Sequence, residues 1–161
     1  MKRINPALIL TACATAFSAV GGEQLPAFVN KVVDGDTVYL SITGALKTVK
    51  VRLAGIDAPE KENRQSFALT AEARLEELIA KKNVSYELKD VEKYKRQIGF
   101  VYLDGKDIGL EMVREGMAWH YDYYLTNDVY KAAQEEAKAN RRGLWIEDNP
   151  TFPAIFRKGR K

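Results

Sequence analysis

The chain has 161 residues, 46% of them hydrophobic and 29% charged; this is one-domain size with enough apolar side chains for a real core, and it excludes an intrinsically disordered chain. A single cysteine, Cys13, excludes an intramolecular disulfide. The formal charge of +3 drops to +1 when Lys2 and Arg3 of a leader are set aside, which excludes bulk positive charge as a ground for nucleic-acid binding and leaves only the placement of charges.

Residues 1–22 read as an export signal. Lys2 and Arg3 precede the uncharged apolar run from Pro6 to Val20, which ends in small residues. The run is too short to span a bilayer comfortably, and cleavage is expected near Gly21 or Gly22. The alternative is a packed N-terminal helix with Thr11, Thr15 and Ser18 on one face. Leu10-Thr11-Ala12-Cys13 also resembles the motif at which bacterial lipoproteins are cut and lipidated on the cysteine, the one route by which membrane attachment is expected. Either form of processing leaves a secreted or periplasmic domain, where calcium is abundant.

From Ala27 to Ile56 short β-branched runs alternate with turn residues. Phe28 to Val33, Thr37 to Ile42 and Thr48 to Ile56 predict three antiparallel strands in a meander. In the third, Val49, Val51 and Leu53 alternate with Thr48, Lys50 and Arg52, so Arg52 stands on the face opposite those apolar residues. The period then changes: Ala68, Ala71, Leu75, Leu78, Ile79 and Lys82 predict an amphipathic helix over Ser66 to Asn83, with Ser66 as a cap and Lys81-Lys82 near the negative end of its dipole. Val84 to Lys89 and Gln97 to Leu103 alternate again and predict the fourth and fifth strands.

The remainder reads as helical. Leu110 to Glu115 is short, with Asp107 as a cap and Gly116 just past its end. Asn127 to Asn140 carries Val129, Ala133 and Ala137 on one stripe. Pro150 and Pro153 are expected to break regular structure, leaving Arg157-Lys158-Gly159-Arg160-Lys161 as a basic, mobile tail that serves solubility or contacts phosphate weakly. Five strands with a helix between the third and fourth predict an α+β fold: a five-stranded Greek-key β-barrel of OB type with three α-helices. The expected division is a leader at 1–22, a folded domain at 23–149 and a basic tail at 150–161.

Asp57-Ala58-Pro59-Glu60 places two carboxylates on one turn, and Asp34-Gly35-Asp36-Thr37 lies upstream. A hard divalent ion takes oxygen ligands, and calcium tolerates an irregular shell completed by carbonyls and water; Asp36, Asp57 and the Ala58 carbonyl supply such oxygens. No cluster of histidines or cysteines suits zinc, because Cys13 is in the leader and His120 is alone. Taken in isolation each acidic stretch is equally a plain turn. Arg52 in an apolar strand and Arg96 at the start of the fifth, beside Lys93 and Tyr94, shift that reading: two arginines grip a phosphodiester and stabilise its transition state, while Glu60 accepts a proton from water. The competing reading is a pair of structural salt bridges, Arg52 to Asp57 and Arg96 to Glu60.

Val33-Asp34-Gly35-Asp36-Thr37-Val38, Val51 to Glu60, Tyr94 to Tyr102, Leu110 to Ala118 and Arg142-Gly143-Leu144-Trp145 occur in order over about Phe28 to Trp145. This ordered set resembles the staphylococcal-nuclease (thermonuclease) family. The resemblance implies an OB-fold, calcium-dependent nuclease that cleaves DNA and RNA with little sequence specificity and leaves 3′-phosphates. It implies Asp36, Asp57 and the Ala58 carbonyl as metal ligands, Glu60 as the group that handles water, and Arg52 and Arg96 as catalytic phosphate-binding residues. Tyr94 and Lys93 are then substrate-binding. Lys95 stands where the family usually has glycine, and the stretch Lys61 to Thr70 lacks a glycine often found before the first helix. Among Trp119, Tyr121, Tyr123 and Tyr124, a tyrosine stacked on a base is one expectation and packing under the last helix the other; His120 is expected to be non-catalytic. A monomer with no stable protein partner is expected. The alternatives are a catalytically silent OB-fold module that binds nucleic acid or protein, and a hydrolase of another phosphodiester.

Overall fold

Strands β1 (Gln24–Val32), β2 (Thr37–Ile42) and β3 (Val49–Leu53) form the antiparallel meander, with Val32 opposite Val38 and Thr37 opposite Arg52. The computed structural model describes residues 22–62, 64–92, 96–123 and 125–159. The leader to residue 21, and with it Cys13, lies outside the described residues, as do Lys93, Tyr94, Lys95 and Tyr124. A two-residue strand, β4 (Ile56–Asp57), follows the meander.

After helix α1 (Ala68–Ile79), strand β5 (Asn83–Val91) pairs antiparallel with β1 and with β6 (Gln97–Leu103). Strand β6 then runs parallel to β3, with Val51 opposite Gln97 and Leu53 opposite Gly99. That pairing closes five strands into a barrel and removes the sheet edges that an open meander would expose. Closure requires glycine at 99: a Cβ there would lie 2.4 Å from the Tyr86 ring and 2.5 Å from the Glu87 carbonyl. The α+β barrel expected from the strand periodicity is thus the architecture of the chain.

Strand β7 (Lys106–Asp107) leads into α2 (Ile108–Arg114), where the Asp107 carboxylate accepts from the Leu110 N–H at 3.3 Å as the expected cap. Strand β8 (Trp119–His120) pairs with β4, Ile56 opposite His120 and Asp57 opposite Trp119. Helix α3 (Asp128–Ala139) and a 3-10 turn (Gly143–Ile146) complete the packing beside α2. The barrel core joins Val29, Val38, Leu40 and Val51 to Leu75 and Ile79 of α1 and Met112 of α2, all buried. Among the described residues no helix is long and apolar enough to cross a membrane.

Three local expectations need correction. Helix α1 is shorter than Ser66 to Asn83, because Phe67 at its N-cap adopts a left-handed conformation (φ 63°) and the Ser66 hydroxyl donates to Glu147 instead of capping. Its buried stripe, Ala68, Ala71, Leu75 and Ile79, is the expected one, and Lys82 Nζ donates to the Leu78 carbonyl at 2.8 Å near its C-terminus. In α3 the inward residue is Tyr130, whereas Val129 is 54% exposed; the Tyr130 hydroxyl donates to Asp107 at 2.7 Å, which lets a larger side chain bury without an orphaned polar atom. Finally, Pro153 does not break structure. It opens a fourth helix, α4 (Pro153–Lys158), since a proline at the first helical position gives up only an N–H that would have no partner there.

Candidate active site

The site begins at the turn from β1 to β2. The Asp34 carboxylate accepts from the Asp36 N–H at 3.0 Å, a side-chain-closed turn. Gly35 is needed there, because a Cβ would stand 2.8 Å from the Cβ atoms of both Ala58 and Ala71. Burial, and after it the neighbouring charge of Asp36, pushes the Asp34 carboxyl up to about 6. The Asp36 carbonyl accepts from Leu53 N–H at 2.8 Å, which ties this turn to β3.

Arg52 on β3 is 7% exposed and organises the carboxylates around it. One terminal nitrogen donates to Asp36 Oδ1 at 3.0 Å; the other donates to Asp57 Oδ1 at 2.5 Å and to the Ile56 carbonyl at 3.3 Å. Burial alone would lower the guanidinium pKa, but Asp36 and Asp57 outweigh it and drive the value up, so the charge stays fixed. Asp36 also accepts from the Thr37 hydroxyl at 2.9 Å and, through Oδ2, from the Ala58 N–H at 2.9 Å. The acidic turn is thereby held from three directions: by Arg52, by Asp36, and by the β4–β8 pairing beneath Asp57.

Glu60 is positioned by Gln65. The Glu60 N–H donates to Gln65 Oε1 at 3.0 Å, the Gln65 N–H returns to the Glu60 carbonyl at 3.0 Å, and Gln65 Nε2 donates to the Thr151 carbonyl at 2.6 Å. Gln65 is buried. It therefore links the acidic turn to the segment ahead of α4. That segment is anchored further by Phe152, whose ring lies 5.3 Å from Trp119 and 5.8 Å from Tyr121.

From α4, Arg157 reaches into the site. Its guanidinium donates to Asp57 at 3.3 Å (Oδ1) and 3.2 Å (Oδ2), and to Glu60 Oε1. Burial opposes its charge, while the bonds from Asp57 and Glu60 prevail and raise its pKa. This contradicts the expectation of a mobile tail, and it also re-pairs the acids. Arg52 does bridge to Asp57, but Glu60 is met by Arg157. Arg96, just before β6, donates through two nitrogens to Glu92 at 2.9 and 2.7 Å rather than to Glu60.

Asp34, Asp36, Arg52, Ala58, Glu60, Arg96 and Arg157 border one open cleft of about 670 Å³. Lys31, Lys50, Arg52, Lys61, Arg96 and Arg157 line it, opposed by the carboxylates of Asp34, Asp36, Glu60 and Glu62. Asp57 lies behind them with no solvent exposure. The fold thus brings Asp36, Arg52, Ala58, Glu60 and Arg96 to one cleft, with Asp57 buried behind it on Arg52 and with Arg96 paired to Glu92; Lys93 and Tyr94 fall outside the described residues. Tyr121 faces the cleft and stacks on Tyr123 at 5.9 Å, whereas Trp119 packs edge-on against Trp145 at 4.3 Å. His120 is turned inward, its Nε2 2.9 Å from the Leu125 carbonyl. Arg157 and Gln65 were missed from sequence; the pattern Pro-x-x-x-Arg in a basic segment could have suggested a proline-started helix, but nothing local points to Gln65.

Comparison with known proteins agrees with this architecture. The family model of the staphylococcal nuclease homologues matches residues 50–147. A Haemophilus influenzae protein described as an uncharacterized endonuclease is 40% identical over 161 residues, covering 98% of this chain and 89% of the relative. A second uncharacterized endonuclease, from Escherichia coli O157:H7, is 38% identical over 79% of this chain and 81% of its own length. A micrococcal nuclease of Shigella flexneri is 33% identical, covering 100% of this chain and 94% of the relative. With the barrel closed through β3 and β6 and the matched segment spanning both acidic-turn and α3 regions, the chain belongs to the staphylococcal nuclease family.

Proposed function

We propose that the cleft is the active site of an exported, calcium-dependent nuclease that hydrolyses phosphodiester bonds of DNA and RNA with little sequence specificity and leaves 3′-phosphate products. The observation that carries this reading is the convergence of Asp36, Arg52, Ala58, Glu60 and Arg96 on one open cleft, with Asp57 held behind it by Arg52. The endonuclease and micrococcal nuclease names of the relatives support it.

The donor set suits a hard cation. Asp36 and Asp57 offer carboxylate oxygens, and a positive guanidinium already lies against Asp57. Among the described residues no three carboxylate, histidine or cysteine side chains form a metal cluster on their own, so Asp36 and Asp57 would hold calcium together with the Ala58 carbonyl and water. When bound, calcium neutralises phosphate charge and makes a nearby water more acidic.

The chain's own residues do the rest. Three of the five Arg52 N–H donors are engaged by Asp36, Asp57 and the Ile56 carbonyl, which leaves two for a phosphate oxygen. Arg96 lines the same cleft with two of its nitrogens on Glu92, a pairing that an incoming phosphate replaces. Glu60 takes the proton of the attacking water; the water oxygen forms the new bond to phosphorus, the bond to the 5′-oxygen breaks, and that oxygen is protonated from solvent. Tyr121 borders the cleft, and lysines along it follow the backbone without reading sequence. Export rests on the leader at 1–22, and intact mass of the mature protein separates plain cleavage from lipidation at Cys13.

The deciding experiment is cleavage of DNA and RNA by the purified protein with calcium and with chelator, followed by end-group analysis. Fragments bearing 3′-phosphates with calcium, and none in chelator, are expected. Full activity in chelator would overturn the metal mechanism, and nucleic acid bound but uncut with calcium present would favour the silent binding module.

A further inference from the structure

The phosphate and water chemistry above uses Arg52, Arg96 and Glu60 and gives no part to Arg157. Yet Arg157 holds the acids most directly concerned. Asp57 has no solvent exposure, and its Oδ1 is taken by Arg52 at 2.5 Å. Oδ2 is then the oxygen best placed to accept a cation, and its partner among the described residues is Arg157, at 3.2 Å. The same guanidinium covers Glu60 Oε1. A divalent ion on Asp57 Oδ2 and a guanidinium donating to that same oxygen would lie within contact distance of each other, and like charges at such separation repel strongly in a partly buried site.

The geometry also provides an exit. The Arg157 side chain is 39% exposed, so it can swing to solvent along its own flexible stem. The arm that carries it need not leave, because Phe152 rests on Trp119 and Thr151 is held by Gln65 independently of the guanidinium.

We infer that Arg157 is the resident cation of the metal-free site: it neutralises Asp57 and Glu60 until a divalent ion displaces it, and so sets the cation affinity of the cleft. This rests on the metal-binding reading of Asp36 and Asp57. Because Arg157 binds only the metal-free form, it lowers the apparent affinity by the fraction of molecules in which it is docked. It also gives Glu60 a cationic partner when calcium is scarce.

The test is isothermal titration of calcium into the full protein and into Arg157→Gln and Arg157→Lys at one ionic strength. The glutamine variant is expected to bind calcium about tenfold tighter, as a differential interaction of ordinary coupling size predicts, while the lysine variant stays near wild type. Equal or weaker binding by Arg157→Gln, with clear calcium binding by the wild type, overturns this inference alone. No calcium binding by either protein overturns the metal reading and this inference with it. Should the glutamine variant misfold, the wild type still decides: guanidinium NMR signals of Arg157 are expected to be rotationally restricted without calcium and freely rotating at saturation, and an unchanged signal contradicts displacement.

Discussion

Asp57 is gripped from two sides of the cleft, and the two grips differ in kind. On the barrel side, Arg52 is 9% exposed in its side chain and faces Asp36 at 5% and Asp57 at 0%. On the α4 side, Arg157 and Glu60 are 39% and 22% exposed. The inner pairing is dry, multiply hydrogen-bonded and carried on strands whose register fixes it; the outer one reaches from a six-residue helix and is open to water and salt. The contrast teaches that this site separates rigidity from adjustability: the barrel preorganises the acids, and the arm supplies a charge that can be withdrawn.

The largest effect is expected from Arg52→Ala. It strands Asp36 and Asp57 as buried charges without their common partner, a loss of ~3–5 kcal/mol in urea-monitored stability; a loss below about 1 kcal/mol, the range of an exposed pair, would show that the inner grip is no stronger than one on the surface. Gln65→Ala comes next. It orphans the Glu60 N–H and the Thr151 carbonyl together, and a cost of ~1–3 kcal/mol is expected, accompanied by faster proteolysis after residue 150. Intact resistance of that segment would mean that Gln65 does not couple the arm to the acidic turn.

Arg157→Gln is expected to cost at most ~1 kcal/mol without calcium, because the guanidinium is itself 39% exposed and Arg52 still holds Asp57, and to shrink toward zero in high salt. A penalty as large as that of Arg52→Ala would erase the distinction between the two grips. Smallest is a control remote from both. Burial raises the Asp107 carboxyl pKa against the ordinary 3.8. A raised carboxylate favours the fold fully below the unfolded value, and that contribution fades as pH climbs through the folded one. The stability advantage of wild type over Asp107→Asn should therefore fall as pH rises through the acidic range above 3.8, as paired urea titrations would measure, with the Asp57 grips unaffected; parallel profiles would contradict the burial argument.

What was legible in the sequence follows the same division. Arg52 stood out because a period of two along Val49 to Leu53 sends it to the face opposite the apolar residues, and the two acidic turns flank that strand within 16 positions. Such information is local. Arg157 lies 100 positions from Asp57, and only the docking of Phe152 and Thr151 brings it home, so composition alone reduced it to part of a basic tail. Pro153 misled for a related reason: a proline's effect depends on whether it falls inside a helix or at its first residue. Val129 and Tyr130 differ by one position on a helical stripe, and the choice between them was made by Asp107, a hydrogen-bond partner from a different element. The pairing of Arg96 with Glu92 replaced an imagined bond to Glu60 because the nearer acid sits only four residues away.

The most direct test of the central claim, that this cleft cleaves phosphodiesters, is the rate of oligonucleotide hydrolysis by Glu60→Gln against wild type in saturating calcium, with folding checked by circular dichroism. Loss of the proton acceptor is expected to slow turnover about 10²- to 10⁴-fold with the fold intact. An unchanged rate in a folded variant would place the chemistry elsewhere and contradict the account.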